Sequence, residues 1–233
     1  MLSVIVPTRA NETTWQTLLG DLNSLPASSE VIVVGPQFGR GEDPELTIEG
    51  AYKLRYCGSE QGRARQLNSG AGEATGDYLW FLHSDSRVPA ESIAELVSAV
   101  QSIDRRELLY FKLAFQSDGP RLMWLNALGA NLRSRLFGIP FGDQGFVVRR
   151  ELFQELGMFD EQCLYGEDHL FVWKCRIKGV ELRALRAVVA TSARKYLEQG
   201  WLRTTTRHLL LTMKQALPEL WRFCLTKPEV RDV

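Results

Sequence analysis

Tyr78-Leu79-Trp80-Phe81-Leu82-His83-Ser84-Asp85-Ser86 is an apolar run that ends abruptly in a carboxylate. Five consecutive large apolar residues, with Gly76-Asp77 before them and Pro89 after, predict a strand buried on both faces. In an open α/β sheet, ligands collect at the carboxyl ends of the strands. Asp85 is therefore expected where a metal ion or a phosphate would be met. The plainer reading is that Asp85 opens a turn before a helix near Pro89, a frequent use of aspartate.

Working outward, residues 2–6 form a short apolar, β-rich run closed by Pro7. Thr13 or Thr14 is placed to cap a helix whose positions Trp15, Leu18, Leu19, Leu22 and Leu25 follow helical spacing up to Pro26. Residues 30–34 predict a second buried strand, stopped by Gly35-Pro36, and residues 53–56 a third. Residues 38–45, rich in glycine, proline and acids, are expected as loop. Residues 62–74 and 90–102 read as helices. Strands alternating with helices at this pace mean βαβ units and a mostly parallel sheet flanked by helices.

Beyond Leu108 the rhythm changes. Residues 109–115 predict a strand, 123–136 a helix, 145–148 a short strand, and 150–156 and 167–178 two more helices. Val188 and Val189 belong to a late strand, and helical segments follow around residues 202–217. Pro218 predicts two short terminal helices rather than one long one.

The 233 residues are enough for one large α/β domain. Lys plus Arg equals Asp plus Glu at 28 each, so no global field argues for nucleic acid. The charge is uneven, however: residues 194–227 hold seven basic side chains against Glu198 and Glu219. Cys57, Cys163, Cys175 and Cys224 form no C-x-x-C pair, which argues against a zinc site or a disulfide framework and fits a reducing cytosol. Met1-Leu2-Ser3-Val4 enters a strand pattern with no secretory leader, and no apolar run reaches the ~20 residues of a membrane span. The expected location is cytoplasmic, on its own or peripheral on the inner face of the membrane.

No G-x-G-x-x-G follows the first strand and no Walker lysine loop is present, which argues against dinucleotide and P-loop enzymes. Five segments carry the chemistry instead. They are Pro7-Thr8-Arg9-Ala10-Asn11-Glu12, Gly62-Arg63-Ala64-Arg65-Gln66-Leu67-Asn68, His83-Ser84-Asp85-Ser86, Gly142-Asp143-Gln144-Gly145 and Gly166-Glu167-Asp168. Arg63 and Arg65 open a helix, whose N-terminus already favours anions; the plain alternative is a solvated helix face. Glu12 equally suits an ordinary acid at a helix start, and Glu167-Asp168 equally suits helix capping.

In this order and spacing, the segments resemble family 2 glycosyltransferases of the GT-A fold, in particular small bacterial members with a Leu-His-Ala-Asp-type motif. The resemblance runs from Ser3-Val4-Ile5-Val6-Pro7 to Ser192-Ala193-Arg194-Lys195-Tyr196. It implies one GT-A domain over residues 1–200, with a nucleotide-sugar half (1–115) and an acceptor half (116–200), and a helical extension over 201–233. The implied activity is hexosyltransferase-like: a sugar leaves a nucleotide-diphosphate donor, with Mg²⁺ or Mn²⁺, for a sugar or lipid-linked acceptor.

The resemblance also implies roles. Pro7, Thr8, Arg9, Asn11 and Glu12 hold the nucleoside, and Arg63, Arg65, Asn68, Ser84 and Arg194 face the donor. Asp85 is the metal ligand, a hard oxygen for a hard cation, with His83 at the first position of the family's Asp-x-Asp as a second candidate. Asp143, Gln144 and Glu167 line the acceptor side. Asp168 is the base that takes the acceptor's proton in an inverting transfer.

Two departures qualify the pattern. Val34-Gly35-Pro36-Gln37-Phe38 lacks the carboxylate that the family carries after its second strand. The Gln-x-x-Arg-Trp motif of processive members is absent, leaving only Arg183 and Arg186, so addition of a single sugar is expected. The missing carboxylate and His83 keep open a non-catalytic sugar-nucleotide-binding protein. A nucleotidyltransferase is the rival enzyme, although Pro7-Thr8-Arg9-Ala10 lacks the glycines its phosphate loop would need. Near the C-terminus, Trp201, Leu209, Met213 and Trp221 are interleaved with Arg203, Arg207, Lys214 and Arg222. Such helices lie in a bilayer interface or cover their own sheet.

Overall fold

In the computed structural model, which describes residues 1–39, 43, 44, 46 and 48–225, β1 (Leu2–Pro7) and β2 (Glu30–Gly35) are buried along their whole length. The other strands are β3 (Lys53–Gly58), β4 (Tyr78–Phe81), β5 (Glu107–Phe115), β6 (Val147–Arg149) and β7 (Glu181–Thr191). Together they form a seven-stranded sheet in the order β3-β2-β1-β4-β6-β5-β7. Only β6 runs antiparallel to its neighbours; the remaining named pairs are parallel. The expected α/β fold with a mostly parallel sheet is what the chain adopts.

The helices are α1 (Thr14–Asp21), α2 (Arg63–Glu73), α3 (Ala90–Val100), α4 (Met123–Phe137), α5 (Arg150–Glu155), α6 (Glu167–Ile177), α7 (Arg194–Gln199) and α8 (Trp201–Leu225). Because strand side chains alternate, β1 and β2 feed two cores at once. Val4, Val6, Val31 and Val33 pack with Trp15 and Leu18 of α1 and Leu96 of α3. Ile5, Ile32 and Val34 pack on the other face with Leu67 of α2, Phe153 of α5 and Phe171 of α6. Each such side chain contributes about 1.5–3 kcal/mol when fully buried, which is why strands covered on both sides read as unbroken apolar runs.

The chain leaves β1 toward β2 and β3 on one side, then returns through α2 to place β4 on the other. The switch in strand order between β1 and β4 opens a crevice at their carboxyl ends.

Several local expectations are corrected. Thr13 stands at the start of α1 but its side chain makes no cap; Thr14 Oγ1 donates to Glu12 Oε1 instead, and α1 gives way to a 3-10 turn at Leu22–Ser24. The late strand is the full β7, an edge strand whose residues alternate in burial from Leu185 to Thr191 but not before, and whose pairing with β5 shifts register between Tyr110 and Lys112 of β5. The terminal segment is one continuous helix, α8, with Pro218 inside it, not two short ones. It is pinned on both sides of the proline: Gln215 Nε2 donates to Tyr165 O at 2.5 Å, and Phe223 packs on Trp173 with ring centroids 6.1 Å apart. Of the expected 38–45 loop, residues 40–42 and 45 lie outside the described residues. Phe38 itself is buried against Trp15 and Tyr56. All four cysteines are free, and no helix among the described residues is long and apolar enough to cross a membrane.

Candidate active site at the carboxyl edge of the sheet

A cleft of about 350 Å³ opens where β1 and β4 diverge. Pro7, Thr8, Arg9 and Glu12 line it from the loop after β1, His83, Ser84 and Asp85 from the end of β4, and Gln61, Arg63 and Gln66 from the start of α2. Three chain segments distant in sequence meet there because each follows, or precedes, a strand or helix anchored in the core.

Glu12 organises the β1 side. It accepts hydrogen bonds from Ser84 Oγ and Thr14 Oγ1, each at 2.8 Å, and from the Arg9 N–H at 3.3 Å. Burial would raise its pKa, but these donors and the Arg9 charge hold it below the usual carboxylate value. Asp85 is pushed the other way, first by burial and then by the negative charge of Glu12. Its backbone carbonyl is fixed by Gln116 Nε2 at 2.7 Å. A cation beside these two acids would relieve their repulsion.

Of His83, the second candidate for the metal, one ring nitrogen is engaged by Arg63. The His83 Nε2 faces the Arg63 guanidinium at hydrogen-bonding distance, so that nitrogen accepts from a cation. Burial, followed by the Arg63 charge, lowers its pKa and keeps the ring neutral. Among the described residues no cluster of three acids, histidines or cysteines is arranged around one point. Mg²⁺ and Mn²⁺ can nevertheless be held by one or two carboxylates, with substrate phosphates and water completing the shell. Asp85, with Glu12 alongside it, fits that requirement.

Arg63 connects this cleft to a second constellation. Its Nη1 lies 3.1 Å from Glu167 Oε1, and Glu167 and Asp168 begin α6. Gly166 precedes them at φ +70°, a left-handed conformation that suits glycine and turns the chain into the helix. Asp168 Oδ2 accepts the Gly142 N–H at 2.5 Å, and Oδ1 accepts the His169 N–H at 2.9 Å. Burial disfavours its charge, but Arg63 and these two amides outweigh it and hold the carboxyl below its usual range. Glu167 is raised, chiefly by burial.

A second cavity, of about 430 Å³, lies beyond Gly142. Its walls are largely apolar, from Leu113, Phe115, Leu125, Tyr196, Trp201 and Leu209, and Asp143 and Arg133 stand among them. Burial pushes Asp143 up to about 6, against the pull of Arg133, with Asp168 adding to the rise. The Arg133 guanidinium stacks 3.6 Å from the centre of the Phe141 ring.

The structure thus gathers Pro7, Thr8, Arg9, Glu12, Arg63, His83, Ser84 and Asp85 into one cleft. Asn11 and Arg194 stand on an adjoining shelf that shares Arg9, Glu12 and Gln61 with it. Three expected residues point elsewhere. Arg65 pairs with Glu60 at 2.5 Å and reaches toward Glu161. Asn68 is buried, donating to Phe159 O at 2.9 Å and accepting the Phe159 N–H at 3.1 Å. Gln144 is fully buried, bonded to Ser134 Oγ at 2.6 Å and Phe111 O at 3.0 Å, and so braces α4 against β5. The sequence reading missed Gln66, whose Nε2 ties α2 to Thr8 O and Val34 O at 2.6 and 3.0 Å. Its position one helical turn after Arg63 was the available signal. Gln61 and Arg133 carried no such signal.

Residues 40–157 match a family model described as glycosyl transferase family 2. No curated protein sequence is a significant match. Among solved structures, the chain is similar to S. aureus TarS 1–349 in complex with UDP-GlcNAc, at 21% identity and a TM-score of 0.61, over 82% of this chain and 58% of that one. It is also similar to the mannosyltransferase PcManGT from Pyrobaculum calidifontis in complex with GDP-Man and Mn²⁺, at 20% identity and a TM-score of 0.65, over 93% of this chain and 64% of that one. It therefore spans less than two thirds of either structure. What these likenesses establish is the GT-A fold.

Proposed function

The chain belongs to glycosyl transferase family 2, and for it we propose transfer of a single sugar from a nucleotide-diphosphate donor to an acceptor hydroxyl, with inversion and with a divalent cation. The observation that carries this reading is the presence of two unlike cavities linked by contacts: Arg63 of the first pairs with Glu167 beside Asp168, and Asp168 accepts from Gly142, next to Asp143 of the second. One is polar, with two arginines and a strand-end carboxylate. The other is mostly apolar and holds Asp143.

The chemistry follows from where charge develops. As the glycosidic bond breaks, negative charge grows on the departing diphosphate, and Arg9 and Arg63 stand ready to stabilise it. Mg²⁺ or Mn²⁺ held by Asp85 would neutralise the same charge. Asp168 accepts the acceptor's proton; its depressed pKa keeps it ionised, and the hydroxyl becomes more acidic as the new bond forms. Arg63 bridges the two sides, since it faces His83 and pairs with Glu167. Addition of one sugar is supported by Arg183, which pairs with Glu107 at 3.2 Å on the edge of the sheet and is thereby committed to the fold.

The test is turnover across a panel of nucleotide sugars, with and without Mn²⁺. We expect metal-stimulated release of a nucleoside diphosphate from one donor. Saturable binding without turnover would assign a non-catalytic binding protein, and formation of a nucleoside triphosphate and a sugar 1-phosphate when pyrophosphate is added would assign a nucleotidyltransferase.

A further inference from the structure

Helices α4 and α8 leave their apolar faces uncovered. Along α4, Trp124, Leu128, Leu132 and Leu136 recur every fourth residue and are all exposed, Leu136 at 71%. Along α8, Leu209, Met213, Leu217 and Trp221 repeat the same spacing and are exposed as well. Only Thr204 is buried in all of α8, and only Met123 and Ser134 in α4. The ordinary use of an amphipathic helix, covering its own core, is therefore not what these two do. They are also fixed to each other: Trp201 Nε1 donates to Asn126 Oδ1 at 2.7 Å, and Asn126 Nδ2 to Thr205 Oγ1 at 3.0 Å.

We propose that α4 and α8 together form one face that lies on an anionic lipid bilayer. Charge selects this occupant. The chain as a whole is neutral, yet α4 has Arg133 and Arg135 and no acid, while α8 has Arg203, Arg207, Lys214 and Arg222 against Glu219 alone. Setting aside Arg133, whose guanidinium stacks on Phe141, five basic residues to one acidic, interleaved with apolar rows and tryptophans, match an interface of acyl chains beneath anionic headgroups. A second copy of the same face would set like charges against each other. No helix among the described residues can span the bilayer, so the contact is one of lying upon it. The apolar cavity containing Asp143 is built between these helices, with Leu125 and Leu209 in its wall. That this brings the acceptor side to the lipid rests on the proposed sugar transfer; the docking itself does not.

The full chain is mixed with phosphatidylcholine vesicles, with and without phosphatidylglycerol, and the bound fraction read by co-sedimentation. We expect binding to the anionic vesicles that high salt weakens. Leu132→Glu on α4 and Met213→Glu on α8 should each lower it, and together by about tenfold or more. The melting temperature and donor-nucleotide binding should stay unchanged, which separates this result from a failure of the proposed activity. No binding by the intact protein overturns the proposal, as does unaltered binding by Leu132→Glu. So does a lipid-free dimer, seen by analytical ultracentrifugation, that the double variant dissociates.

Discussion

The backbone N–H of Gly142 donates to Asp168 Oδ2 at 2.5 Å, joining a 3-10 turn after α4 to the first turn of α6. The second carboxylate oxygen accepts the His169 amide at 2.9 Å. The carboxyl group is thus aimed by two main-chain donors, which hold it more rigidly than side-chain partners would. Arg63 and His83, which line the polar cleft, complete its surroundings.

Replacing Asp168 with Asn should lower the transfer rate by roughly 10²–10⁴, the usual loss for a removed general base. Donor affinity should hardly change, because the group acts on the other substrate. Single-turnover kinetics and nucleotide titration read the two quantities separately; a parallel fall in both would move Asp168 to the donor side. Since its pKa is depressed, the acid limb of the single-turnover rate, with Mn²⁺ kept saturating at every pH, should lie below the ordinary carboxylate range.

At Gly142 there is no room for a side chain. A Cβ there would sit 2.5 Å from Arg63 Nη2 and 2.8 Å from Asp168 Oδ2. Gly142→Ala should therefore displace both groups and cut turnover by about tenfold or more, while the cost in stability stays near 1–3 kcal/mol, typical of overpacking. Wild-type turnover in this variant would show that the approach is not required.

Asp85→Asn should abolish metal stimulation and leave the fold intact, with Mn²⁺ affinity measured directly by electron paramagnetic resonance. The wild-type carboxyl is raised above 3.8 by burial and by Glu12. Protonation competes with the metal, so Mn²⁺ binding should weaken as pH falls, and it should begin to do so at a higher pH than for an ordinary aspartate. Undiminished Mn²⁺ affinity in the variant would falsify the assignment.

Glu30 offers a separate test in the core. Burial opposes its charge, but hydrogen bonds from Ser3 and Thr75 and then Arg55 bring its pKa from 4.5 down to about 2. A group whose folded pKa is lowered stabilises fully above its unfolded value, and its contribution fades as pH falls from 4.5 toward 2. Glu30→Gln should cost about 1–3 kcal/mol at neutral pH and flatten that acid slope. Urea denaturation of both proteins at a series of pH values gives the difference.

Certain elements were legible without coordinates because local chemistry alone specifies them. β1, β2 and β4 are continuous apolar runs, since both faces of each strand are covered, and Asp85 ends such a run wherever the strand lies. The Gly-Glu-Asp start of α6 is equally local. Other outcomes turned on long-range packing. Arg63 enters the cleft while Arg65 pairs with Glu60, and Asn68 is bound to Phe159, because the rotation of α2 on the sheet decides which of its faces meets β1. Gln144 disappears under α4 for a similar reason. α8 runs through Pro218 because Tyr165, just before α6, and Trp173 of α6 hold it on the two sides, a compensation that no helix propensity contains. Sequence periodicity records how a segment would bury itself; which partner takes up that face depends on residues far away in the chain, and only the packed sheet settles the choice.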